Sequence, residues 1–197
     1  EGWDYHTKYG RTNGSLSHRW WLIEENDLDT ASGSGQYSSI ALDSGGYPHM
    51  SYYDSSTDTV EYTFYNGTTE TWETPTTVET GGGQWTSLAL DSSDNPHITY
   101  KQGSDLRYAV DSGGGFAAET VATNDPLWTS LALDDADTPH ISYFDDGSNY
   151  DVRYATDSGG AWDDRLVEDL SGFSGGGKST DIALDSAGTP HIVYYDQ

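Results

Sequence analysis

The sequence contains no cysteine, so it can form no disulfide and offers no thiolate chemistry. It also lacks an apolar run long enough to span a membrane, which disfavours insertion into a bilayer. No Gly-x-Ser-x-Gly, His-Glu-x-x-His or phosphate-binding glycine loop is present, and no segment has the periodicity of an amphipathic helix. These absences remove several common signatures of hydrolytic, nucleotide-binding and helical proteins.

Basic residues are scarce as well, with 8 Lys and Arg against 33 Asp and Glu and a formal net charge of −25. Proteins bind phosphate backbones through clustered cations, so we expect no nucleic-acid partner. An anionic membrane surface is disfavoured for the same reason. The excess of carboxylates favours solubility and the accumulation of cations around the protein.

The most prominent feature of the sequence is one motif, or phrase, that occurs four times. A short apolar segment ends in Asp, a turn follows, and a second segment begins with Pro-His. The Asp and His residues of the four copies are Asp43 and His49, Asp91 and His97, Asp134 and His140, and Asp185 and His191. The copies recur every 43 to 51 residues, a repeat length typical of β-propeller blades.

Each copy divides into segments of strand length. Only a short turn separates the two segments of the phrase, so they must form an antiparallel hairpin, with Pro at the first residue of its second strand. A third alternating segment, such as 106–110, and a fourth, such as 162–168, come after the hairpin. The sequence therefore predicts an all-β fold, a four-bladed β-propeller with four antiparallel strands per blade.

The two ends of the chain are each predicted to supply half of one blade. Residues 3–7 and 19–24 look like third and fourth strands, and the chain stops just past a second strand. We expect a single domain over 1–197 in which these halves pair. Its predicted parts are half-blade 1–30, blades 37–80, 85–124 and 128–170, and half-blade 179–197. Pairing between molecules would instead make rings or filaments.

The rhythm Ala-Leu-Asp, turn, Gly-x-Pro-His-Ile-x-Tyr-Tyr-Asp resembles the repeats of secreted bacterial and archaeal β-propeller proteins over about residues 3–196. More loosely, it is similar to the Asp-box turn of sialidase-like propellers. The first resemblance implies a propeller and an extracellular setting. The second implies an arginine cluster for a substrate carboxylate, whereas Arg107 and Arg153 here occupy equivalent repeat positions and look structural. Fold alone does not choose among enzymes, lectins and scaffolds.

The four Asp–His pairs admit three interpretations. A histidine beside a carboxylate suits general base catalysis, but four copies in one domain argue against a single active site. The favoured interpretation is structural: the Asp and His bond each other or backbone N–H groups and hold each hairpin. The third places a ring of carboxylates around the axis, where it would hold a cation such as Ca²⁺. We expect no other cofactor, and no metal ligand is assigned.

Positions at which the copies differ are better candidates for binding. Just before each inner strand lie Tyr37, Trp85 and Trp128, on loops predicted to meet near the axis at one face. Aromatic rings beside amides and carboxylates suit the faces of sugars. The alternative is that these rings plug the axis or pack between blades.

Two N-glycosylation sequons, at Asn13 and Asn66, lie at predicted loop tips and favour an extracellular or cell-surface location. The favoured function is a non-catalytic binding or adhesion module for a glycan or a protein. One alternative is a self-assembling structural subunit whose terminal half-blades pair between molecules. Another is a sialidase- or glycosidase-like hydrolase, which needs only two well-placed carboxylates.

Overall fold

A computed structural model describes residues 7–11, 24–29, 33–147, 150–157, 159–170 and 179–195, with the backbone alone over 7–11 and 24–29. The described residues form seventeen β-strands and no helix. The strands are β1 (Thr7–Arg11), β2 (Glu24–Asp29), β3 (Gln36–Leu42), β4 (Pro48–Asp54), β5 (Thr59–Asn66), β6 (Thr71–Trp72), β7 (Thr76–Thr80), β8 (Gln84–Leu90), β9 (Pro96–Gln102), β10 (Asp105–Val110), β11 (Ala117–Thr123), β12 (Pro126–Leu133), β13 (Pro139–Asp145), β14 (Asp151–Thr156), β15 (Asp163–Asp169), β16 (Thr180–Leu184) and β17 (Pro190–Tyr194).

Three antiparallel sheets, each built on four main strands, make up the middle of the chain. Their orders are β3-β4-β5-β7, β8-β9-β10-β11 and β12-β13-β14-β15, and the short strand β6 pairs with the far end of β5. Two hairpins, β1-β2 and β16-β17, flank them. The all-β prediction is confirmed. The predicted N-terminal strand segments 3–7 and 19–24 fall mostly outside the described residues, whose two strands there begin at Thr7 and Glu24.

A β-bulge recurs between the third and fourth strands of each sheet. The register shifts between Val60 and Glu61, between Leu106 and Arg107, and between Val152 and Arg153. The hairpin β1-β2 carries the same irregularity, between Thr7 and Lys8. Because a bulge adds one residue to one strand only, it marks equivalent positions in sheets that share it.

The core lies between successive sheets rather than within one. The first buried cluster joins Val60, Tyr62 and Val78 to Leu88, Ile98 and Tyr100 of the next sheet, and a second cluster joins the second and third sheets in the same way. Tyr100 and its counterparts Tyr52 and Tyr143 are fully buried. Such rings fill the wedge between twisted sheets and leave the hydroxyl at its edge.

The inner strands β3, β8, β12 and β16 pack side by side and share one hydrogen-bond pattern. At three successive junctions a threonine Oγ1 of the later strand donates to a main-chain carbonyl of the earlier one. The pairs are Thr86 with Tyr37 (2.5 Å), Thr129 with Trp85 (2.5 Å) and Thr180 with Trp128 (3.1 Å). A serine of the earlier strand accepts a main-chain N–H in return, as Ser87 does from Leu131 at 3.0 Å.

On β3 and on β17, apolar side chains are exposed at positions that are buried in the other repeats. Ile40 of β3 is 54% exposed, although its counterparts Leu88 and Leu131 are only 6% and 8% exposed at their junctions. Val193 of β17 is 66% exposed, although its counterparts Ser51 and Thr99 are fully buried. Among the described residues β17 pairs only with β16, and β1 only with β2.

Candidate functional site

Each repeated Asp organises the turn that follows it. Oδ1 of Asp91 accepts the main-chain N–H groups of Ser93 and Asn95, both at 2.8 Å. Asp134 and Asp185 make the same two bonds in their own turns, and Asp43 makes the one to Tyr47 at 2.7 Å. The short carboxylate thus satisfies turn donors that would otherwise face solvent.

Each repeated His in the three complete sheets lies between that Asp and a tyrosine of the third strand. Nδ1 of His49 lies 2.5 Å from the Tyr62 hydroxyl, and Nδ1 of His140 lies 2.6 Å from that of Tyr154. His97 contacts Tyr108 in the same way. Nε2 of His49 faces Asp43 Oδ2 at 3.6 Å. A hydroxyl that donates to Nδ1 leaves the proton on Nε2, directed at the carboxylate.

The electrostatics of this Asp–His–Tyr unit favour uncharged rings. Burial lowers the pKa of His49 and of His97 from their ordinary value, although the neighbouring Asp opposes the shift. Burial also raises the pKa of Tyr62 and of Tyr108. The imidazole and phenol rings of the unit therefore stay neutral near pH 7.

The fourth Asp–His pair is different. His191 lies 3.4 Å from Asp185, but its side chain is 67% exposed. No tyrosine contacts it among the described residues, whose last sheet here has only the two strands β16 and β17. The pair thus has its turn but not the third strand that buries the other three.

Tyr37, Trp85 and Trp128 do come together, at one end of the inner strands. Their rings form one continuous row of tilted rings, here called the aromatic stack. The centroids lie 4.3 Å apart with planes at 54° between Tyr37 and Trp85, and 4.2 Å apart with planes at 39° between Trp85 and Trp128. With Thr86, Thr129 and Thr180 they line a cavity of about 250 Å³. The fourth copy has Ser179 here, which leaves one side of the stack without a ring.

All three aromatic residues have a left-handed backbone. Their φ angles are 51° for Tyr37, 60° for Trp85 and 48° for Trp128. Bulky residues rarely adopt this region, and each such residue costs about 1–3 kcal/mol and persists only where the surrounding structure imposes it. Here the next strand's threonine holds each carbonyl in place.

A larger cavity, which the sequence did not predict, lies between the first and second sheets. Its volume is about 610 Å³, and its wall includes Tyr47, Tyr65, His49, Asp94 and Asp111. The rings of Tyr47 and Tyr65 stack with centroids 6.0 Å apart and planes 26° from parallel. One signal in the sequence could have located it: Tyr47 is the only aromatic residue at its place in the four turns.

Of the two sequons, the structure describes only the one at Asn66. Asn13 lies outside the described residues. Asn66 is partly exposed, its Nδ2 donates to Glu73 at 2.8 Å, and its Oδ1 accepts the N–H of Thr68 at 2.9 Å. An N-linked glycan on Asn66 would replace one of its two Nδ2 hydrogens and leave one N–H as a donor.

The two arginines at equivalent repeat positions are both engaged in ion pairs. Arg107 lies 3.1 Å from Glu79, and Arg153 lies 2.8 Å from Asp164. The described residues contain no group of three or more His, Asp or Glu side chains arranged to hold a metal ion. Nor do they form a helix long and apolar enough to cross a membrane.

No protein-family model matches the sequence, and no curated protein matches it either. Solved structures do. A bifunctional GH43-CE protein of Bacteroides eggerthii aligns with 85% of this chain at 13% identity and a TM-score of 0.53. An exo-β-1,3-galactanase of Phanerochaete chrysosporium, solved with β-1,3-galactotriose, aligns with 72% at 9% identity and a TM-score of 0.50.

This chain spans 24% of the length of the first of these proteins and 37% of the second. A fucose lectin of Kordia zhangzhouensis, solved with methyl-fucoside, aligns with 67% of this chain and 99% of its own length at 15% identity. Its TM-score of 0.46 is too low to support an argument. The first two likenesses show a fold of the β-propeller type.

Proposed function

We propose that this protein is an extracellular β-propeller that binds carbohydrate and does not catalyse a reaction. The observation that carries the proposal is the stack of Tyr37, Trp85 and Trp128 on one rim, each in a left-handed backbone. Strained residues persist where the surrounding structure holds them, and they concentrate at functional sites.

A packing role alone accounts less well for this arrangement. Aromatic rings could fill the axis from ordinary extended backbone, without the strain. The rings are partly exposed, and the cavity beside them carries threonine hydroxyls. Apolar faces with a few hydroxyls and main-chain groups are what a sugar ring requires, since sugars present C–H faces and hydroxyl edges.

The proposal includes a fourth blade completed by the chain's own N-terminal hairpin. Counting from the shared bulge, Tyr9 takes the register position of Tyr62, Tyr108 and Tyr154. A third strand with a tyrosine at that position is what His191 lacks. The link from β2 to β3 has six residues, within the range of two to ten that join the other fourth strands to the next inner strand, which favours the same molecule over a second copy.

Calorimetric titration of the whole chain against a panel of neutral oligosaccharides tests the binding function. We expect at least one oligosaccharide to bind, with affinity falling tenfold or more in Trp85→Ala and Trp128→Ala. Trp162→Phe is the matched control, because Trp162 packs edge-on against Tyr108 away from the axis. Equal affinity in all four proteins would refute the axial site.

A further inference from the structure

The cavity between the first and second sheets is larger than the one beside the three axial rings. Its volume of about 610 Å³ compares with about 250 Å³ at the aromatic stack. Ligand sites commonly occupy about 300–1,000 Å³. The cavity is therefore large enough for one or two sugar rings.

Its aromatic wall is not required by the repeat. Tyr47 stands where the other three turns have Asn95, Thr138 and Thr189, and those turns form the same Asp-centred bonds. Tyr47 is 39% exposed and thus presents ring surface to solvent. A large exposed ring at a position that folds equally well with Asn or Thr points to binding rather than to stability.

The close approach of the opposite wall keeps this ring in place. A Cβ added at Gly67 would lie 2.0 Å from Cζ of Tyr47, so only glycine allows the ring to lie over this turn. Tyr65 stacks beside it, and Trp72 packs edge-on against Tyr65 with centroids 5.8 Å apart. The three rings form a pre-organised apolar surface.

The polar part of the wall is acidic. Asp43, Asp94 and Asp111 line the cavity, and no Lys or Arg does among the residues that the structure describes. The imidazole of His49, which also faces it, is held between Asp43 and Tyr62. Asp111 uses Oδ1 for the N–H groups of its own turn, and its Oδ2 has no hydrogen-bond partner among the described residues. Such a wall accepts hydrogen bonds from hydroxyl or ammonium groups and repels anions.

We propose that this cleft is a second carbohydrate site, which takes a neutral or amino sugar on the Tyr47 and Tyr65 rings and excludes acidic sugars. The inference rests on the proposed function, because it assumes a carbohydrate-binding chain, but it names another place and a charge preference. The sugar's C–H face packs on the rings, and its hydroxyl or amino groups donate to Asp94 and Asp111.

Calorimetry of the full chain with three probes tests the site: methyl glycosides of a neutral hexose, of a 2-amino-2-deoxyhexose and of a uronic acid. The variant is Tyr47→Thr, the residue of the third and fourth turns, so the fold is preserved. We expect tenfold or greater loss of affinity for the neutral or amino sugar, an unchanged melting temperature, and at least tenfold weaker binding of the uronic acid to the unaltered chain. Gly67→Ala, which displaces the Tyr47 ring, should reproduce the loss.

The outcomes separate this site from the axial one. Loss in Tyr47→Thr but not in Trp85→Ala supports the cleft and refutes the axial site. Loss in Trp85→Ala alone, or preferred binding of the uronic acid, overturns the cleft. If none of the probes binds the unaltered chain at 10 mM, roughly the weakest affinity such titrations resolve, both proposals fail.

Discussion

At the scale of single residues, the most distinctive feature is a threonine hydroxyl that donates a hydrogen bond to the main-chain carbonyl of a left-handed residue in the neighbouring inner strand. Oγ1 of Thr129 lies 2.5 Å from the Trp85 carbonyl, and Thr129 itself is buried. The same bond recurs at Thr86. Its role is to join two sheets that no main-chain ladder connects.

Replacing Thr129 by valine keeps the shape and removes this donor. We expect the free energy of unfolding to fall by about 1–2 kcal/mol, since a buried carbonyl then lacks its partner. Urea denaturation monitored by tryptophan fluorescence measures the loss. Thr129→Ser retains the hydroxyl and is the control; a valine variant as stable as the original chain would contradict the role.

At the scale of the element, the second and third Asp-centred turns each bond the turn before them through a carboxylate, a contact here called the clasp. Both carboxylate oxygens of Asp137 accept from Ser92 of the preceding turn, at 2.8 and 2.6 Å, and Asp94 bonds Ser44 likewise. Asp137 has a φ of 61°, a left-handed conformation that glycine adopts without strain. The first and fourth turns have Gly46 and Gly188 at this position and lack the clasp.

At Asp137, replacement by glycine is expected to leave a more stable protein than replacement by alanine. Asp137→Ala removes the clasp and keeps the strain, whereas Asp137→Gly removes both. The glycine variant should therefore be the more stable of the two by about 0.5–1 kcal/mol, although glycine normally weakens a chain. Chemical denaturation of the pair decides it, and an alanine variant equal to or better than the glycine one would show that the left-handed conformation is not retained.

The Asp-centred hairpin also makes stability depend on pH. Burial lowers the pKa of His49 and of His97 below the unfolded value of 6.5, so protons bind the unfolded state preferentially. The stability this contributes is present above pH 6.5 and is lost as the pH falls below it. Hydrogen bonds from the N–H of Thr138 and of Thr189 lower the pKa of Asp134 and of Asp185, which adds a second loss below their ordinary value of 3.8.

Urea midpoints at pH 8.0, 5.5 and 3.5 in 0.5 M NaCl should thus decrease in that order. The salt screens the general repulsion that a net charge of −25 produces, which would otherwise relax as carboxylates protonate and oppose the trend. The interval between pH 8.0 and 5.5 isolates the histidines, since the carboxylates stay ionised there. A midpoint that rises over this interval would contradict their burial as neutral rings.

At the scale of the whole molecule, the exposed apolar faces of β3 and β17 favour pairing with a further strand. Ile40 and Leu42 on one face, and Val193 and Tyr195 on the other, are exposed apolar side chains. Unpaired strand edges beside exposed apolar surface recruit a partner, either from the same chain or from another molecule.

Hydrogen exchange tests closure by the N-terminal hairpin. Main-chain amides of residues 191–195 should exchange at least tenfold more slowly in the whole chain than in a variant that begins at Thr30, because the proposed closure places β1 on the free edge of β17. Amides of β9, internal to a complete sheet, are the control. Equal exchange would exclude this pairing, and sedimentation as a concentration-dependent oligomer would indicate that a second copy closes the blade.

Much of this architecture could be predicted from local patterns. The Asp, the turn and the Pro-His of each repeat lie within seven residues, so each hairpin follows from its own segment. The rim of Tyr37, Trp85 and Trp128 could be anticipated too, because a repeat brings equivalent positions together. The register of the N-terminal hairpin could not be predicted, since it depends on a bulge that alternation does not reveal.

The sequence by itself determined the class of fold, the hairpins and the acidic surface, because these depend on neighbouring residues and on composition. Only the tertiary structure decided that three aromatic residues are left-handed, that Thr129 bonds a residue 44 positions away, and that Tyr47 meets Tyr65 over a cleft. The reason is physical: contacts between sheets join residues whose separation along the chain carries no local signal, and the packing of one sheet against the next sets their geometry.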